Sequence, residues 1–560
     1  MENLNTIQGE GVIPHSYYPR PTFARDSFMT LNGAWDFSAS KKYAEPIYNE
    51  KITVPFVPEC ALSGIGRSMD KTPYLFYRRN LTIPEGFNKG RIILHFGAVD
   101  QECRVYINGS VVGENFGGYL PFSFDITDYL RGGENTLEVH VKDNLSKKYP
   151  YGKQRKKRGG MWYTPISGIW QSVWLESVPD VYIRSIKMTP DLNGVKLNVA
   201  GGEIHKRIIL KDNDEIFEFD GDEFYIQPKN IRTWSPEDPY LYYFKIECGD
   251  DLVESYFALR EVGAQIIDGI PRLTLNGKPY IFNGLLDQGY FSDGIYTPKD
   301  ENQYLDDIKL AKSLGFNMLR KHIKIEPEIF YYFCDKEGIA VFQDMVNNGG
   351  YSFIRDTALP TIGLQKLSDT FLHPGKKARR IFIETMKKTA DLLYNFPSVV
   401  YYTIFNEGWG QFSADKAYLI LKDKDKTRII DSTSGWFRRT LSDVDSRHIY
   451  FKPIKVKDVN QKPLVISEFG GYSHLVDKHF FGQKSYGYRI CDSREKFEND
   501  FFELYLNEVI PSMEKGACAF VYTQLSDVED ETNGLTTYDR CVTKIQDTEK
   551  CKAIMSRLKL

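Results

Sequence analysis

The chain has 560 residues, and 72 basic and 75 acidic side chains give it a net charge of −3. Hydrophobic residues make up 42% of the chain, which excludes a mainly disordered protein and, at roughly 150 residues per domain, predicts three or four domains. The near-neutral total gives no reason to expect a polyanionic partner such as a nucleic acid.

No run of apolar residues approaches the ~20 that span a bilayer, so no membrane partner is expected. The N-terminal segment MENLNTIQGEGVIPHSYYPRP has no apolar core behind basic residues, which argues against a secretory leader. The eight cysteines are scattered without a CxxC pair, as is typical of reduced thiols. We expect a cytoplasmic protein, unless a signal peptide has been removed.

Residues 1–180 have the pattern of a β-sandwich. Short runs rich in branched and aromatic residues, such as RIILHFGAVD and NTLEVHVKDN, alternate with turn signals. Asn108-Gly109 between two such runs predicts a hairpin. We predict a jelly-roll-like sandwich here. Residues 181–265 contain a second series of short strands, and their length suits an immunoglobulin-like sandwich.

From residue 266 to residue 560, strand-like runs alternate with helical ones. IFNGLL, FNMLRKHI, IAVFQDM, VVYYTIFN, RIIDSTSG, HIYF, LVISEFGG and ACAFVYTQL give about eight strands. This number and rhythm predict a (β/α)8 TIM barrel. Catalytic residues of such barrels lie at the carboxyl ends of the strands, so the polar residues that end each run are candidates.

Two of these strand ends carry glutamates. The fourth run ends in Asn406-Glu407, and the seventh ends in Glu468. In a closed barrel the two carboxylates would face each other across the mouth, which is the arrangement that glycosidic bond cleavage needs. One carboxyl protonates the leaving group, and the other, ~5–5.5 Å away, attacks the sugar directly with retention of configuration. Mutual repulsion and burial are expected to raise one of the two pKa values.

Other residues at the strand ends have a structural and a functional interpretation. Trp409 and Trp436 are either packing residues or apolar platforms for a sugar ring, and His322 is either a core histidine or a ligand contact. Asp344 can equally cap a segment, and Tyr450 and Tyr522 can equally hydrogen-bond within the core. Gln524 and Asp527 are more typical of loop ordering.

The chain resembles glycoside hydrolase family 2, which contains β-galactosidases, β-glucuronidases and β-mannosidases. The segments that carry the resemblance run through nearly the whole chain in order: RPTFARDSFMTLNGAWDFS, ITVPFVPE, SGIWQSVWLE, RTWSPEDPYLYYFKI, FNMLRKHI, FNEGWG and SEFG. The resemblance implies a retaining exo-β-glycosidase that forms a covalent glycosyl-enzyme and acts on a carbohydrate or glycoconjugate. It implies the acid/base role for Glu407 and the nucleophile role for Glu468.

The same resemblance implies further contacts. Asn406 would hold the 2-hydroxyl of the sugar, and Arg320 and His322 would lie near the sugar and the carboxylates. Tyr450 would hydrogen-bond Glu468. By analogy with relatives, a homo-oligomer is expected.

The sequence departs from the family at positions that bear on the sugar. The place of a His-rich segment in β-galactosidases holds Asp287 and Gln288, which are candidates for hydroxyl recognition. The late loop ETNGLTTYDR lacks the lysine with which β-glucuronidases grip a uronate, so a uronic acid is less favoured, although Lys321 or Lys324 would supply a cation. Tyr522 stands where many relatives have Trp. A β-galactoside is the first choice; a glucuronide, mannoside, galacturonide or α-L-arabinopyranoside is the alternative.

The histidines form no HxH or HExxH pattern, and no GxGxxG or GxxxxGK[ST] motif is present, so neither a required metal nor a cofactor is expected. The basic run at residues 153–158 is interpreted as a solvated loop, with phosphate contact as the alternative. The GGMWYTP that follows it offers a segment that would project toward the barrel mouth. A function of another class, a catalytically inactive carbohydrate-binding protein, requires one carboxylate to be absent or misplaced.

Overall fold

The computed structural model describes residues 13–212, 214–359, 369, 375–456, 461–482 and 484–560. The first twelve residues, which hold part of the segment in which no leader is expected, lie outside the described residues. Within the described part of the chain, no helix is both long enough and apolar enough to cross a membrane.

The first part of the chain forms two antiparallel sheets around an apolar core. Its strands are β1 (Phe28–Thr30), β2 (Gly33–Ser40), β3 (Glu50–Val54), β4 (Tyr74–Thr82), β5 (Arg91–Phe96), β6 (Val99–Asp100), β7 (Glu102–Ile107), β8 (Ser110–Phe116), β9 (Phe122–Asp125), β10 (Glu134–Lys142), β11 (Gly168–Ile169) and β12 (Val173–Val178). One sheet has the order β3-β2-β4-β10-β7-β8 and the other the order β1-β12-β5-β9. Alternate residues of β10 are buried, because successive side chains of a strand point to opposite faces.

The predicted hairpin joins β7 to β8. Asn108 and Gly109 have φ angles of 51° and 80°, and two positive φ angles are what a tight two-residue hairpin turn requires. Two 3₁₀ turns complete this part of the chain, at Ala61–Ser63 and Thr127–Tyr129.

A second sandwich follows. Its strands are β13 (Ile183–Pro190), β14 (Val195–Gly201), β15 (His205–Leu210), β16 (Glu215–Asp220), β17 (Glu223–Ile226), β18 (Tyr242–Cys248) and β19 (Asp251–Phe257). They form a three-stranded sheet, β13-β14-β17, and a four-stranded sheet, β16-β15-β18-β19, which share one apolar core. Buried Arg25 joins the two sandwiches, since its guanidinium donates to both oxygens of Asp251 at 2.8 Å and to Glu176 at 3.3 Å.

The third part is a nearly closed parallel barrel. A small sheet of β20 (Val262–Ile267), β21 (Ile270–Leu275) and β22 (Lys278–Pro279) precedes it. The barrel strands are β23 (Phe282–Asp287), β24 (Met318–Lys321), β25 (Ala340–Asp344), β26 (Val399–Asn406), β27 (Ile429–Ser434), β28 (Asp445–Ile449), β29 (Leu464–Gly470) and, after the short β30 (Tyr472–Ser473) and β31 (Arg489–Ile490), β32 (Ala517–Thr523). Their order is β27-β26-β25-β24-β23-β32-β29-β28. Each of the eight runs identified in the sequence forms one barrel strand, so the predicted multidomain fold with a TIM barrel is confirmed.

Helices pack on the outside of this barrel. They are α1 (Asn302–Ser313), α2 (Glu328–Glu337), α3 (Lys376–Leu393), α4 (Ala414–Lys424), α5 (Arg494–Leu504), α6 (Ile510–Glu514) and α7 (Thr548–Met555), with π-helical turns at Ile354–Ala358 and Tyr505–Val509. In α1 the buried residues Tyr304, Ile308 and Ala311 are three or four positions apart, the spacing that puts them on one face of a helix.

Asp335, near the end of α2, connects the second sandwich to the barrel. Its carboxylate accepts hydrogen bonds from the Tyr256 hydroxyl at 2.8 Å and from the backbone N–H of Ser398 at 2.7 Å, and its carbonyl accepts one from the Trp234 indole. Burial raises the pKa of Asp335 to about 7, against the lowering effect of these hydrogen bonds. The group is therefore a titrating site within the domain junction.

The folded state holds the Asp335 proton more tightly than the unfolded chain does. Its contribution to stability is therefore complete below about pH 4 and is lost as the pH rises toward 7. Between these values we expect the free energy of unfolding of the wild type to fall relative to that of Asp335→Asn, by about 1.4 kcal/mol per pH unit. Urea denaturation at several pH values measures this difference. Asp306→Asn, at an exposed position of α1, is the control, and parallel pH curves for wild type and Asp335→Asn would contradict the prediction.

Candidate active site

The fourth barrel strand brings Glu407 to the mouth of the barrel. β26 is buried along its whole length and ends at Asn406. The chain then turns through Glu407 and Gly408, which have φ angles of 51° and 72°. A non-glycine residue in this left-handed region costs on the order of 1 kcal/mol, and such strain concentrates at functional sites. The turn leaves the Glu407 side chain 20% exposed at the open end of the barrel.

Glu468, near the end of β29, lies opposite Glu407. Its side chain is only 6% exposed. One carboxylate oxygen of Glu407, one of Glu468 and Nδ1 of His448 all lie within 4.8 Å of one another. The two carboxylates that the sequence places on the fourth and seventh strands therefore meet in one pocket.

Arg320, the buried arginine of β24, fixes the geometry of this pair. Its guanidinium donates to Glu468 at 3.2 Å, to the carbonyl of Ser467 at 2.8 Å and to the side-chain oxygen of Asn406 at 3.0 Å. Its Nε donates to both oxygens of Asp344, at 3.0 and 3.1 Å. One side chain thus links four barrel strands directly beneath the two carboxylates.

Glu468 is held in its ionised form. Burial alone would raise its pKa, but the charges of His448 and Arg320, with a smaller effect of His322, and a hydrogen bond from Tyr450 lower the pKa below its usual value. The Tyr450 hydroxyl donates to Glu468 at 2.6 Å, which is the contact that the sequence resemblance implied. A buried carboxylate with this environment is available as a nucleophile.

Asp344 and His322 form a buried pair next to Arg320. Nδ1 of His322 lies 2.6 Å from Asp344. Burial lowers the pKa of His322, which favours the neutral ring. Although burial alone would raise the pKa of Asp344, Arg320 and His322 lower it. The Asp344 carboxylate therefore orients the Arg320 guanidinium and the His322 ring. Its contacts do not support the alternative interpretation as the cap of a segment.

His448, which sequence reasoning missed, stands between the two glutamates. Its Nδ1 lies 2.8 Å from Glu407 and 3.4 Å from Glu468, and its Nε2 lies 2.9 Å from the Ser434 hydroxyl. The HIYF run could have indicated His448. Residues two positions apart on a strand point to the same side, and His448 lies two positions before Tyr450, which was already a candidate. Tyr488 was also missed; its ring stacks on Tyr450 at 3.8 Å.

Asp287 and Gln288 lie at the end of the first barrel strand but are engaged with protein groups. Asp287 accepts hydrogen bonds from Lys321 and from the backbone N–H of Gly289. The amide of Gln288 donates to Gln524 at 2.9 Å. The structure brings neither of them into contact with the glutamate pair.

The two tryptophans differ in role. Trp409 is 3% exposed, and its ring packs edge-on against Trp162 at 5.0 Å and Tyr151 at 5.5 Å, both from the first part of the chain. Its indole N–H donates to the carbonyl of Gly349. Trp436 is partly exposed and lies 6.4 Å from the ring of His448. Of the two, only Trp436 has the exposure that a sugar platform needs.

Tyr522 faces away from the mouth. It is fully buried, and its ring packs against Phe469 at 5.7 Å and Phe501 at 5.0 Å, between the barrel and α5. Gln524 and Asp527 take part in hydrogen bonds that order the following loop, since Gln524 donates to Asn533 and Asp527 accepts from Lys544. These contacts support a packing role for Tyr522. They support a loop-ordering role for Gln524 and Asp527.

A loop of the first part of the chain covers one side of the mouth. As the sequence suggested for GGMWYTP, Trp162 reaches Trp409, and the Tyr163 hydroxyl donates to Glu531 in the loop after β32. In the basic run before it, residues 155–158 are exposed, which fits the solvated-loop interpretation. Lys153 differs from them, because it is only 9% exposed.

Two groups of side chains have donor atoms close enough together to share a metal ion among the described residues. One is the Glu407, His448 and Glu468 cluster itself. The other consists of His479, Asp539 and the exposed Cys541, away from the glutamate pair. In the first group, the imidazole of His448 contacts both glutamates, as described above.

Comparisons with known proteins agree on one family. Residues 20–179 match the model of the sugar binding domain of glycosyl hydrolases family 2, and residues 267–550 match the TIM barrel domain of the same family. A β-galactosidase of Thermoanaerobacter pseudethanolicus is 27% identical over 322 residues, which are 53% of this chain and 42% of that protein. The β-galactosidase large subunit of Latilactobacillus sakei is 23% identical over 453 residues, covering 76% of this chain and 69% of that protein.

Among solved structures, a β-D-glucuronidase of Dictyoglomus thermophilum superposes with a TM-score of 0.76 at 19% identity, covering 97% of this chain and 99% of that one. At this identity the likeness shows the fold alone. The chain spans less than half the length of the Thermoanaerobacter relative.

The different surroundings of the two tryptophans predict different effects of truncation. Trp409→Ala removes a buried ring between the first part of the chain and the barrel, and we expect it to lower the free energy of unfolding by about 3–5 kcal/mol. Trp436→Ala, at a partly exposed position, should change it by about 1 kcal/mol or less. Chemical denaturation followed by circular dichroism measures both. Equal losses in the two variants would show that this distinction is wrong.

Proposed function

The chain belongs to glycoside hydrolase family 2, and we propose that it is a retaining exo-β-glycosidase, which removes a non-reducing-end sugar through a covalent glycosyl-enzyme intermediate. The observation that carries the proposal is the approach of the Glu407 and Glu468 oxygens to within 4.8 Å. Retaining glycosidases keep their two carboxyl groups ~5–5.5 Å apart, whereas inverting enzymes separate them by ~6.5–9.5 Å to admit a water.

Glu468 is the proposed nucleophile. In the first step an oxygen of Glu468 bonds to the anomeric carbon while the bond from that carbon to the glycosidic oxygen breaks. The lowered pKa of Glu468 supports this role, because a nucleophilic carboxylate has to be ionised. Tyr450 and Arg320 hydrogen-bond the two carboxylate oxygens and thereby orient the group for attack.

Glu407 is the proposed acid and base. In the first step its carboxylic acid gives a proton to the departing glycosidic oxygen. In the second step its carboxylate takes a proton from water, which attacks the anomeric carbon and releases Glu468. Glu407 is more exposed than Glu468, as water entry requires, and its contact with His448 at 2.8 Å fixes its orientation.

Asn406 is the proposed contact for the 2-hydroxyl. Its side-chain oxygen accepts from Arg320 at 3.0 Å, so the amide nitrogen is the atom left to donate toward the pocket. Arg320, His322 and Tyr450 complete the polar floor, and Trp436 is the proposed aromatic wall. Asp344 supports this floor through its contacts with Arg320 and His322, whereas Asp287, Gln288, Trp409 and Tyr522 are engaged in the other protein contacts described above.

Two further features support this function. An inactive binding protein on the same scaffold would need one carboxylate missing or displaced, whereas here both are present in one pocket. The loop that carries Trp162 and Tyr163 closes one side of the mouth, as suits an enzyme that takes chain ends. The division of the chain at residues 180 and 265 into two sandwiches and a catalytic barrel is part of the proposal.

The identity of the sugar that the pocket accepts is a separate part of the proposal. The sequence-based preference for a β-galactoside depends on how common that activity is in the family. The residues assigned to hydroxyl recognition on that basis, Asp287 and Gln288, are engaged with Lys321 and Gln524 instead. A uronide is the second candidate, because the loop that covers the mouth carries the buried Lys153.

Glu468→Gln should abolish formation of the covalent intermediate, because an amide is a poor nucleophile. The measurement is intact-protein mass spectrometry after incubation with 2-deoxy-2-fluoro-glycosyl fluorides. Glu407→Gln is the matched control, since fluoride departs without a proton and this variant should still be labelled. Labelling that persists in Glu468→Gln would remove Glu468 from the nucleophile role.

Glu407→Gln should slow the hydrolysis of alkyl glycosides, which have poor leaving groups, by about 10²–10⁴-fold. Dinitrophenyl glycosides should lose much less in the glycosylation step, because their leaving group departs without protonation. Pre-steady-state release of dinitrophenol compared with alkyl glycoside turnover measures the difference. An equal loss on both substrates would contradict the acid role.

A further inference from the structure

Lys153 is a buried cation that has no charged partner among the described residues. The residue is 9% exposed, and none of the described carboxylates lies within 4.0 Å of its ammonium nitrogen. Its ammonium is also absent from the fully buried atoms that lack a hydrogen bond, so it keeps contact with solvent. A charge that is largely removed from water without a partner is costly, so an anion that reaches this position would bind favourably.

The backbone around Lys153 fixes it over the barrel mouth. On one side is Gly152, where an added Cβ would lie 3.0 Å from the carbonyl of Ile323, the residue after His322. The carbonyl of Lys153 accepts a hydrogen bond from Tyr163, whose hydroxyl is bonded to Glu531. Lys153 is thus held between the end of the second barrel strand and the loop after the eighth.

The electrostatic environment agrees with this position. Burial lowers the pKa of His322, and the charge of Lys153 lowers it further. Burial raises the pKa of Glu531, and the charge of Lys153 opposes that effect. The charge of Lys153 therefore acts on one residue from each side of the barrel mouth, which agrees with the position of its backbone.

The other buried cations at this end of the barrel are already paired. Lys321 contacts Asp287 and Glu326, and Lys324 contacts Glu326 at 2.9 Å and two backbone carbonyls. Lys544 is paired with Asp527. Arg320 is shared between Asp344 and Glu468. Of the buried lysines at this end of the barrel, Lys153 is therefore the one without a carboxylate partner among the described residues.

We propose that Lys153 binds the carboxylate of a hexuronic acid in the sugar pocket, so that the first sandwich supplies the charge that selects an acidic sugar. A single ammonium matches the single negative charge of a uronate, and the ion pair would form in a site where little water competes. A neutral hexose would leave Lys153 buried and unpaired.

This inference rests on the proposed function and revises one expectation drawn from the sequence. A uronide was less favoured because the late loop has no lysine, with Lys321 or Lys324 as the possible substitutes. Both of those lysines are engaged in the protein. The cation proposed here comes from the basic run of the first sandwich, for which the sequence favours a solvated loop and leaves a phosphate contact as the alternative.

The test compares kcat/KM for nitrophenyl β-glucuronide, β-galacturonide, β-galactoside, β-glucoside and β-galactoside 6-sulfate. The wild type should prefer a uronide. Lys153→Met should lower kcat/KM for that uronide about 30-fold or more, as removal of one partner of a buried charge pair does, and leave the neutral glycosides within about threefold. Lys153→Arg should retain part of the uronide activity. Lys156→Met, an exposed position in the same run that contacts Asp70, is the control and should behave as the wild type.

The outcomes separate the inference from the function on which it rests. A wild type that hydrolyses neutral glycosides best, unaffected by Lys153→Met, would overturn the inference and leave the glycosidase proposal intact. Preference for the 6-sulfate would overturn the choice of a carboxylate. Equal losses on neutral and acidic sugars would show that Lys153 only balances Glu531. No turnover of any glycoside would count against the function itself.

In that case calorimetric titration of Glu468→Gln with free glucuronate, galacturonate, glucose and galactose tests Lys153 independently. Binding of the two acids that is lost when Lys153→Met is added supports the inference. Equal binding of all four sugars overturns it.

Discussion

The arrangement of the pocket depends on the guanidinium of Arg320. Buried within the barrel, it is hydrogen-bonded to Asp344, to Asn406, to the carbonyl of Ser467 and to Glu468. A planar group with five donors in fixed directions can hold acceptors from three other strands in one geometry, which a lysine cannot do. The cost of burying its charge is offset because two carboxylates share it, and one of them is the proposed nucleophile. The position of Glu468 and the orientation of the Asn406 amide are therefore set by the same side chain.

The proposed reaction requires one of two neighbouring carboxyl groups to donate a proton and the other to be ionised. The surroundings of the two groups differ accordingly. Glu468 is buried and receives hydrogen bonds from Arg320 and Tyr450, so its charged form is favoured. Glu407 sits on a left-handed turn, is more exposed, and is bonded to His448. His448 contacts both groups and thereby fixes their relative position.

Much of this could be predicted from the sequence because it depends on local rules. Period-two runs define strands, and polar residues that end parallel strands of a barrel share one edge, which is why the sequence alone points to Glu407 and Glu468. What could not be predicted depends on side-chain direction and on distant contacts. Tyr522 ends its strand as the other candidates do but faces the helices, and Trp409 is covered by residues more than 240 positions earlier in the chain. Neither the burial of Lys153 nor the pairing of Lys321, Lys324 and Lys544 with carboxylates can be read from the sequence.

In the proposed function, the covering loop gives the first sandwich a part in substrate selection as well as in stability. It is fixed to the barrel by the backbone bond from Tyr151 to Asn347, by the Tyr163–Glu531 hydrogen bond and by the packing of Trp162 on Trp409. None of these contacts involves the glutamate pair or Arg320. Changes in this loop can therefore alter the charge and shape of the sugar pocket while the bond-breaking machinery stays as it is. When substrate selection is separate from the chemistry in this way, one kind of barrel can act on different sugars. The residue proposed to select the sugar then lies outside the barrel strands, in the first sandwich.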